Sequence, residues 1–170
     1  IDSRVVRGEQ LFVAIEGDND DGHRYLDNAA DKNCAGFLVN SKFPGINEFS
    51  NKKPMVAVDD THRAMKKLAQ DYRDESKTKL IAVTGSNGKT TTKEMAAQVL
   101  SRSNRVLKNR GNFNNLVGLP LTLLGLEKGH RNAILEMGMN HPGEIGRLTE
   151  ISDPDIGVIT NVGKAHLEGV

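Results

Sequence analysis

Gly85-Ser86-Asn87-Gly88-Lys89-Thr90 is the stretch whose reading decides the fold. It follows the β-branched apolar run Ile81-Ala82-Val83-Thr84 and precedes residues 91–100, where Met95, Ala96, Val99 and Leu100 recur at helical spacing. Strand, glycine turn and helix start in that order make a phosphate cradle. Glycines let the backbone approach a polyphosphate, successive N–H groups and the helix N-terminus meet its negative charge, and a lysine adds a point charge. The Thr90 hydroxyl is placed to reach a magnesium ion. A full G-x-x-x-x-G-K-[ST] loop requires glycine where this chain carries Val83, so the loop departs from an ordinary Walker A sequence. The plainer alternative is a glycine turn that joins strand to helix and leaves Lys89 in solvent.

With 170 residues, 37% of them hydrophobic, the chain has material for one domain or two small ones. A formal net charge of +1 gives no broad electrostatic footprint for nucleic acid, and no apolar run is long enough for a membrane helix. The single cysteine, Cys34, cannot close an internal disulfide, which suits a reducing, cytoplasmic setting. It reads as a buried structural thiol because no companion His/Asn pattern accompanies it. The chain opens at Ile1 without a methionine and is expected to be a fragment.

Ahead of the glycine loop, residues 10–15 read as a short strand, followed by an acidic turn over 16–22 and a helix with Tyr25, Leu26, Ala29 and Ala30 on one face. Residues 36–39 and 55–58 are two further strands, separated by a break at Pro44-Gly45. Ala64, Met65, Leu68, Ala69 and Tyr72 then give an amphipathic helix, whose Arg63, Lys66, Lys67, Asp71 and Arg73 form a solvated face. The polar segment 73–79 marks a junction, giving domains 1–77 and 78–170. In the first domain the acidic turn could hydrogen-bond a ligand, or it could equally cap a helix or form a turn; His23 alone signals nothing.

Beyond the loop helix, residues 105–108 form a short strand that runs into Asn109-Arg110-Gly111-Asn112-Phe113-Asn114-Asn115. This segment is turn-prone and dense in donors and acceptors, so its asparagines serve either turn geometry or contacts to phosphate. An apolar helix over 119–126 follows, with Pro120 at its start. Residues 132–136 are a strand ending on Glu136, at the strand end where ligands gather in parallel α/β sheets. An acid there is a natural second holder of magnesium beside Thr90, since magnesium keeps waters and takes few protein oxygens; a capping or ion-paired surface acid is the alternative. A helix over 143–151 and a strand over 156–161 complete the series, and His166 falls just past that strand. The fold class is α/β: a small α/β N-terminal domain, then a P-loop NTPase-like, mostly parallel sheet flanked by helices.

Four ordered blocks resemble the Mur ligases: Thr84-Gly85-Ser86-Asn87-Gly88-Lys89-Thr90-Thr91; Gly111-Asn112-Phe113-Asn114-Asn115 with Gly118 and Pro120; Glu136-Met137-Gly138-Met139-Asn140-His141-Pro142-Gly143-Glu144-Ile145; and Thr160-Asn161-Val162-Gly163-Lys164-Ala165-His166-Leu167-Glu168. The family's T-G-x-N-G-K-T loop accounts for Val83. Asp2-Ser3-Arg4, Leu11-Phe12-Val13-Ala14 and residues 17–23 resemble the UDP-substrate domain of the member that adds D-alanyl-D-alanine, so the resemblance spans essentially the whole chain.

The resemblance implies ATP-driven amide bond formation between a UDP-muramyl-tripeptide and D-Ala-D-Ala through an acyl phosphate, with ATP and Mg2+ as cofactors. It assigns catalysis to Lys89, Glu136 and His166, metal holding to Thr90, Glu136 and His166, and phosphate wrapping to Gly85, Ser86, Asn87, Gly88, Lys89, Thr90 and Thr91. Asn114 or Asn115 would assist near the transferred group. Ser3, Arg4 and Asn19 would meet the UDP sugar, and Asn140 and His141 the muramyl peptide. The partners are thus small molecules, with neither nucleic acid nor membrane, and a monomer is expected. The family also carries a carbamylated lysine beyond the A-H-L-E block and a third domain, so the 170 residues are expected to be catalytically incomplete. Two other readings stay open: another ligase of the superfamily, such as folylpolyglutamate synthetase, and a nucleotide-binding switch. Against the switch, the Asn51-Lys52 pair is followed by Lys53-Pro54 instead of a base-reading Asp.

Overall fold

The computed structural model describes residues 1–17 and 19–163. Packing divides the chain into two compact units, Ile1–Met65 and Lys66–Val170. The division falls inside the helix Thr61–Asp74, ahead of the 77/78 junction that the charged segment suggests.

In the first unit β1 (Leu11–Val13), β2 (Gly36–Asn40) and β3 (Met55–Val58) form a parallel sheet in the order β1-β2-β3. Between β1 and β2 the chain makes a 3-10 turn, Gly22–Tyr25, and the short helix α1 (Leu26–Asp31). The acidic turn caps that 3-10 turn, since the Asp21 side chain accepts the His23 N–H. His23 itself is buried: Nδ1 lies 2.5 Å from Asp21 Oδ1, Nε2 accepts the Asn40 N–H at 3.0 Å, and the ring stacks on Phe43. A helix that the sequence does not signal, α2 (Ile46–Ser50), follows the Pro44-Gly45 break; five residues are too few to display a period. Phe12, Leu26, Phe37, Val39 and Phe49 build the core, and Cys34 is buried among them, where burial pushes its thiol up.

Helix α3 (Thr61–Asp74) buries Thr61, Met65, Ala69 and Arg73, a stripe at intervals of four. Leu68 and Tyr72, expected on the buried face, are 44% and 42% exposed, whereas Arg73, expected in solvent, is 8% exposed. The guanidinium is buried because backbone acceptors await it. Nε donates to Ser152 O at 2.9 Å, and Nη2 to Asp153 O at 3.0 Å and Asp155 Oδ2 at 3.2 Å.

The second unit alternates β4 (Lys79–Thr84), α4 (Lys89–Leu100), β5 (Arg105–Lys108), α5 (Gly118–Leu123), β6 (His130–Glu136), α6 (Glu144–Ser152) and β7 (Ile156–Ile159). Its four strands are parallel in the order β5-β6-β4-β7. β4 and β6 are therefore central, and their apolar runs are buried as two-sided strands require: Leu80, Ala82, Val83, Ala133, Ile134 and Leu135. The expected α/β class with parallel sheets and flanking helices is what the chain forms. Helix α4 is rotated from its expected face: Met95 and Val99 are 64% and 67% exposed, while Lys93 and Ala97 are buried. Among the described residues no helix is long and apolar enough to cross a membrane.

Asp155 ties the start of β7 to its neighbours, accepting from Lys79 Nζ at 2.7 Å, from the Leu80 N–H at 2.9 Å and from Arg73. The Lys79 ammonium, then the Leu80 amide, lower its carboxyl from 3.8 to about 2. A carboxylate with a lowered folded-state pKa contributes stability that is present above its unfolded value and lost as pH falls through the folded one. The Asp155→Asn variant is therefore expected to unfold at lower urea than the parent at pH 7, with the two midpoints converging between pH 4 and about pH 2. A gap that stayed constant across that range would contradict this account.

Candidate functional site

The end of β4 passes into the glycine loop, and the loop passes into α4. Gly85 has φ +134°, and a Cβ there would fall 2.2 Å from Thr160 Oγ1, so only glycine fits. Gly88 (φ +81°) makes the left-handed entry to α4. The loop is braced by the segment after β7. Asn161 Oδ1 accepts the Asn87 N–H at 2.8 Å, Thr160 Oγ1 donates to Asn87 O at 2.6 Å, and Ser86 Oγ both donates to Gly163 O and accepts its N–H. Lys89 folds back over the loop, donating from Nζ to Gly85 O at 2.6 Å. Thr90 and Thr91 follow in the first turn of α4.

Val83 is the register partner of Glu136, which sets the carboxylate at the end of β6 beside the start of the loop. Glu136 is 4% exposed. Its Oε2 accepts from Thr90 Oγ1 at 2.8 Å and lies 3.6 Å from Lys93 Nζ, and its Oε1 accepts from Asn114 Nδ2 at 3.2 Å. Glu136 is therefore neither a cap nor a surface acid, since the carboxylate is buried and accepts from Thr90 and Asn114; it is ion-paired, with the buried Lys93.

Two residues that the sequence did not single out hold this carboxylate in place. Asn109, 1% exposed, closes on the Glu136 backbone: Oδ1 accepts the Glu136 N–H at 2.9 Å and Nδ2 donates to Glu136 O at 2.8 Å and to Phe113 O at 3.0 Å. Its side chain thus stands in for a strand residue where β5 has ended. Lys93 donates from Nζ to Asn109 O at 3.0 Å. A signal for Lys93 did exist, because a residue three positions after Thr90 shares its helix face.

A cavity of about 630 Å³ opens above these groups, lined by residues 86–91, Asn112, Asn114, Asn115, Glu136, Gly138, Met139, Asn140 and Glu144. Of the candidate residues, Ser86, Asn87, Gly88, Lys89, Thr90, Thr91, Asn114, Asn115, Glu136 and Asn140 thus meet on one cavity. Asn114 turns its amide to Glu136, whereas Asn115 Oδ1 accepts the Val117 and Gly118 N–H groups at the start of α5. The Asn140 and His141 N–H groups both donate to Glu144 Oε2 and hold that carboxyl below its usual range.

Ser3, Arg4 and Asn19 belong to the first unit. Ser3 is buried, the Arg4 guanidinium is paired with Asp2, and Asn19 sits exposed on the acidic turn. His166 lies outside the described residues.

The arrangement offers hard oxygen donors, the Lys89 ammonium and the backbone amides of residues 88–91 on one rim, the equipment for a polyphosphate and a small divalent cation; the Ser86 and Asn87 amides are taken by Asn161. Comparison with known proteins agrees in kind. The family described as Mur ligase middle domain matches residues 83–170. A UDP-N-acetylmuramoyl-tripeptide--D-alanyl-D-alanine ligase of Bacillus subtilis is 42% identical over 98% of this chain and 36% of its own length. Among solved structures, MurF from Acinetobacter baumannii superposes with a TM-score of 0.86 at 37% identity, covering 98% of this chain and 36% of that one. A MurF ligase from Thermotoga maritima in complex with ADP gives 0.82 at 36% identity, covering 98% and 38%. The chain thus spans little more than a third of the length of the relatives it matches.

Replacing Asn109 by Leu keeps the branch at Cγ but strands the two buried backbone groups of Glu136 and the part-buried Phe113 carbonyl, and is expected to cost the Lys66–Val170 unit about 3 kcal/mol in urea denaturation. A loss below about 1 kcal/mol would mean that Asn109 does no more than shape a turn.

Proposed function

The chain belongs to the Mur ligase family, and from that premise we propose that the whole protein carrying this sequence is an ATP-dependent amide ligase that adds D-alanyl-D-alanine to UDP-N-acetylmuramoyl-tripeptide in peptidoglycan precursor synthesis. The observation that carries the reading is the Thr90 hydroxyl held 2.8 Å from the Glu136 carboxylate at the foot of a glycine loop. The ligase name borne by relatives matched over 98% of this chain supports it over a folylpolyglutamate synthetase or a GTP switch.

In this reading ATP would lie along the loop, with the amides of residues 88–91 toward its phosphates, since the Ser86 and Asn87 amides are taken by Asn161, and Lys89 would leave Gly85 O to neutralise them. The substrate carboxylate takes the γ-phosphoryl group to become an acyl phosphate, and the amine of D-Ala-D-Ala displaces phosphate through a tetrahedral intermediate. Such chemistry asks the protein for positioning and charge stabilisation. Asn114, whose Nδ2 donates to Glu136 Oε1, would assist near the transferred group.

Mg2+ suits the donor set. Thr90 Oγ1 and Glu136 Oε2 are adjacent hard oxygens, and among the described residues no three His, Cys, Asp or Glu cluster into a full protein cage. Magnesium accepts that shortage because it keeps its waters and takes phosphate oxygens. Bound there, it would neutralise charge on the transferred phosphoryl group. His166 is proposed as a further metal holder, Ser3, Arg4 and Asn19 as contacts of the UDP sugar, and Asn140 and His141 as contacts of the muramyl peptide. The functional division into a substrate domain, 1–77, and an ATP domain, 78–170, belongs to the same reading, as do a cytoplasmic location and a monomeric state.

ADP release by the whole protein is expected only when UDP-N-acetylmuramoyl-tripeptide and D-Ala-D-Ala are supplied together. Lys89→Ala is expected to lower it at least about 100-fold with an unchanged circular dichroism spectrum. Turnover retained by that variant would remove Lys89 from the catalytic set, and release that ignored both substrates would remove the ligase reading.

A further inference from the structure

Lys93 is a buried charge to which the reaction above gives no task. Its side chain is 1% exposed, and burying an ammonium is costly unless a fixed opposite charge and hydrogen-bond acceptors surround it. Three groups do. Asn109 O accepts at 3.0 Å, Glu94 Oε1 stands at 3.3 Å and Glu136 Oε2 at 3.6 Å. Glu94 is half-exposed and is held below the usual carboxylate range mainly by its bond with Lys108, with Lys93 adding to it. The charge left for Lys93 to offset is that of Glu136.

We infer that Lys93 is a positioning residue that balances the charge of Glu136, so that this pocket takes a divalent cation together with a polyphosphate and not alone. The inference rests on the nucleotide reading above and adds to it how the metal enters. Glu136 brings one negative charge to the rim, and Lys93 sets one positive charge beside the same oxygen that Thr90 touches. A bare Mg2+ or Mn2+ would have to shed water for two oxygens whose surroundings are electrically neutral, and such hard ions release water reluctantly. A cation that arrives on a polyphosphate brings its own anionic oxygens, which meet Lys89 and the loop amides. Lys93 cannot swing aside to make room. It is tied to Asn109 O, and the Asn109 side chain in turn grips both backbone groups of Glu136, so ammonium and carboxylate are held by one frame.

Mn2+ is the probe, its free concentration followed by electron paramagnetic resonance in solutions of the whole protein with and without ADP. The parent protein is expected to bind Mn2+ alone more weakly than about 1 mM and to retain it once ADP is present. Lys93→Met, which keeps the length of the side chain and removes its charge, is expected to bind Mn2+ alone at least about tenfold tighter than the parent. The Lys93→Met, Glu136→Gln double variant is expected to lose that gain, which locates it at the carboxylate. Binding of Mn2+ alone by the parent tighter than about 1 mM, or no gain in Lys93→Met, overturns the inference. Should Lys93→Met not fold, the parent measurement decides, together with Lys93→Arg, in which tighter binding of Mn2+ alone than in the parent would equally overturn it. A parent protein that retains no Mn2+ even with ADP overturns the nucleotide reading itself, a result distinct from the ADP-free arm.

Discussion

Parallel pairing between β4 and β6 sets Val83 opposite Glu136, and everything at the site depends on that register. Both strands run the same way, so the loop that leaves β4 and the carboxylate that ends β6 emerge on one rim of the sheet. A slip of one residue would turn Glu136 to the opposite face and put an apolar neighbour in its place. The buried runs on both strands forbid the slip, since Leu80, Ala82, Ala133 and Leu135 all fill one core. Hydrophobic packing thereby fixes the separation of a hydroxyl and a carboxylate to hydrogen-bonding distance.

The polar frame under the rim is the second contributor. Asn109 satisfies the Glu136 backbone at the point where β5 no longer can, and Lys93 satisfies the Asn109 carbonyl. No buried side-chain nitrogen or oxygen among the described residues lacks a partner, so the frame carries its burial without an orphaned group. A network closed in this way is rigid, and rigidity is what a site built for charge stabilisation needs.

Much of this could be read in the residues. Val83 and Thr84 before Gly85, and the apolar run before Glu136, are local signals, and local signals announce strands and the loops at their ends. The Mur ligase resemblance, carried on four separate blocks, agrees with the family and relatives that the chain matches. Tertiary partners left weaker traces. Met95 and Val99 look like a core stripe, yet α4 turns Lys93 and Ala97 inward because a carboxylate and a carbonyl wait there. Arg73 looks solvated, yet the carbonyls of Ser152 and Asp153, some 80 residues away, claim it. Asn109 could be recognised as a loop residue but not as a substitute for a strand, since its partners sit on β6, 27 residues on. An amphipathic period records where apolar side chains recur around the helix, and a buried ion pair can turn the helix away from the face that the period marks.

The bracing of Gly85 to Gly88 by Thr160, Asn161 and Gly163 has a consequence for the order in which the molecule comes together. The partners of the loop lie 73 to 77 residues later in the chain, beyond a whole strand that must first dock against β4. Contacts that distant close slowly, because the intervening chain must be immobilised before they yield any return. The cradle therefore takes its final shape late, after the sheet beneath it is built, and a nascent chain does not present a finished anion trap while β7 is still unmade.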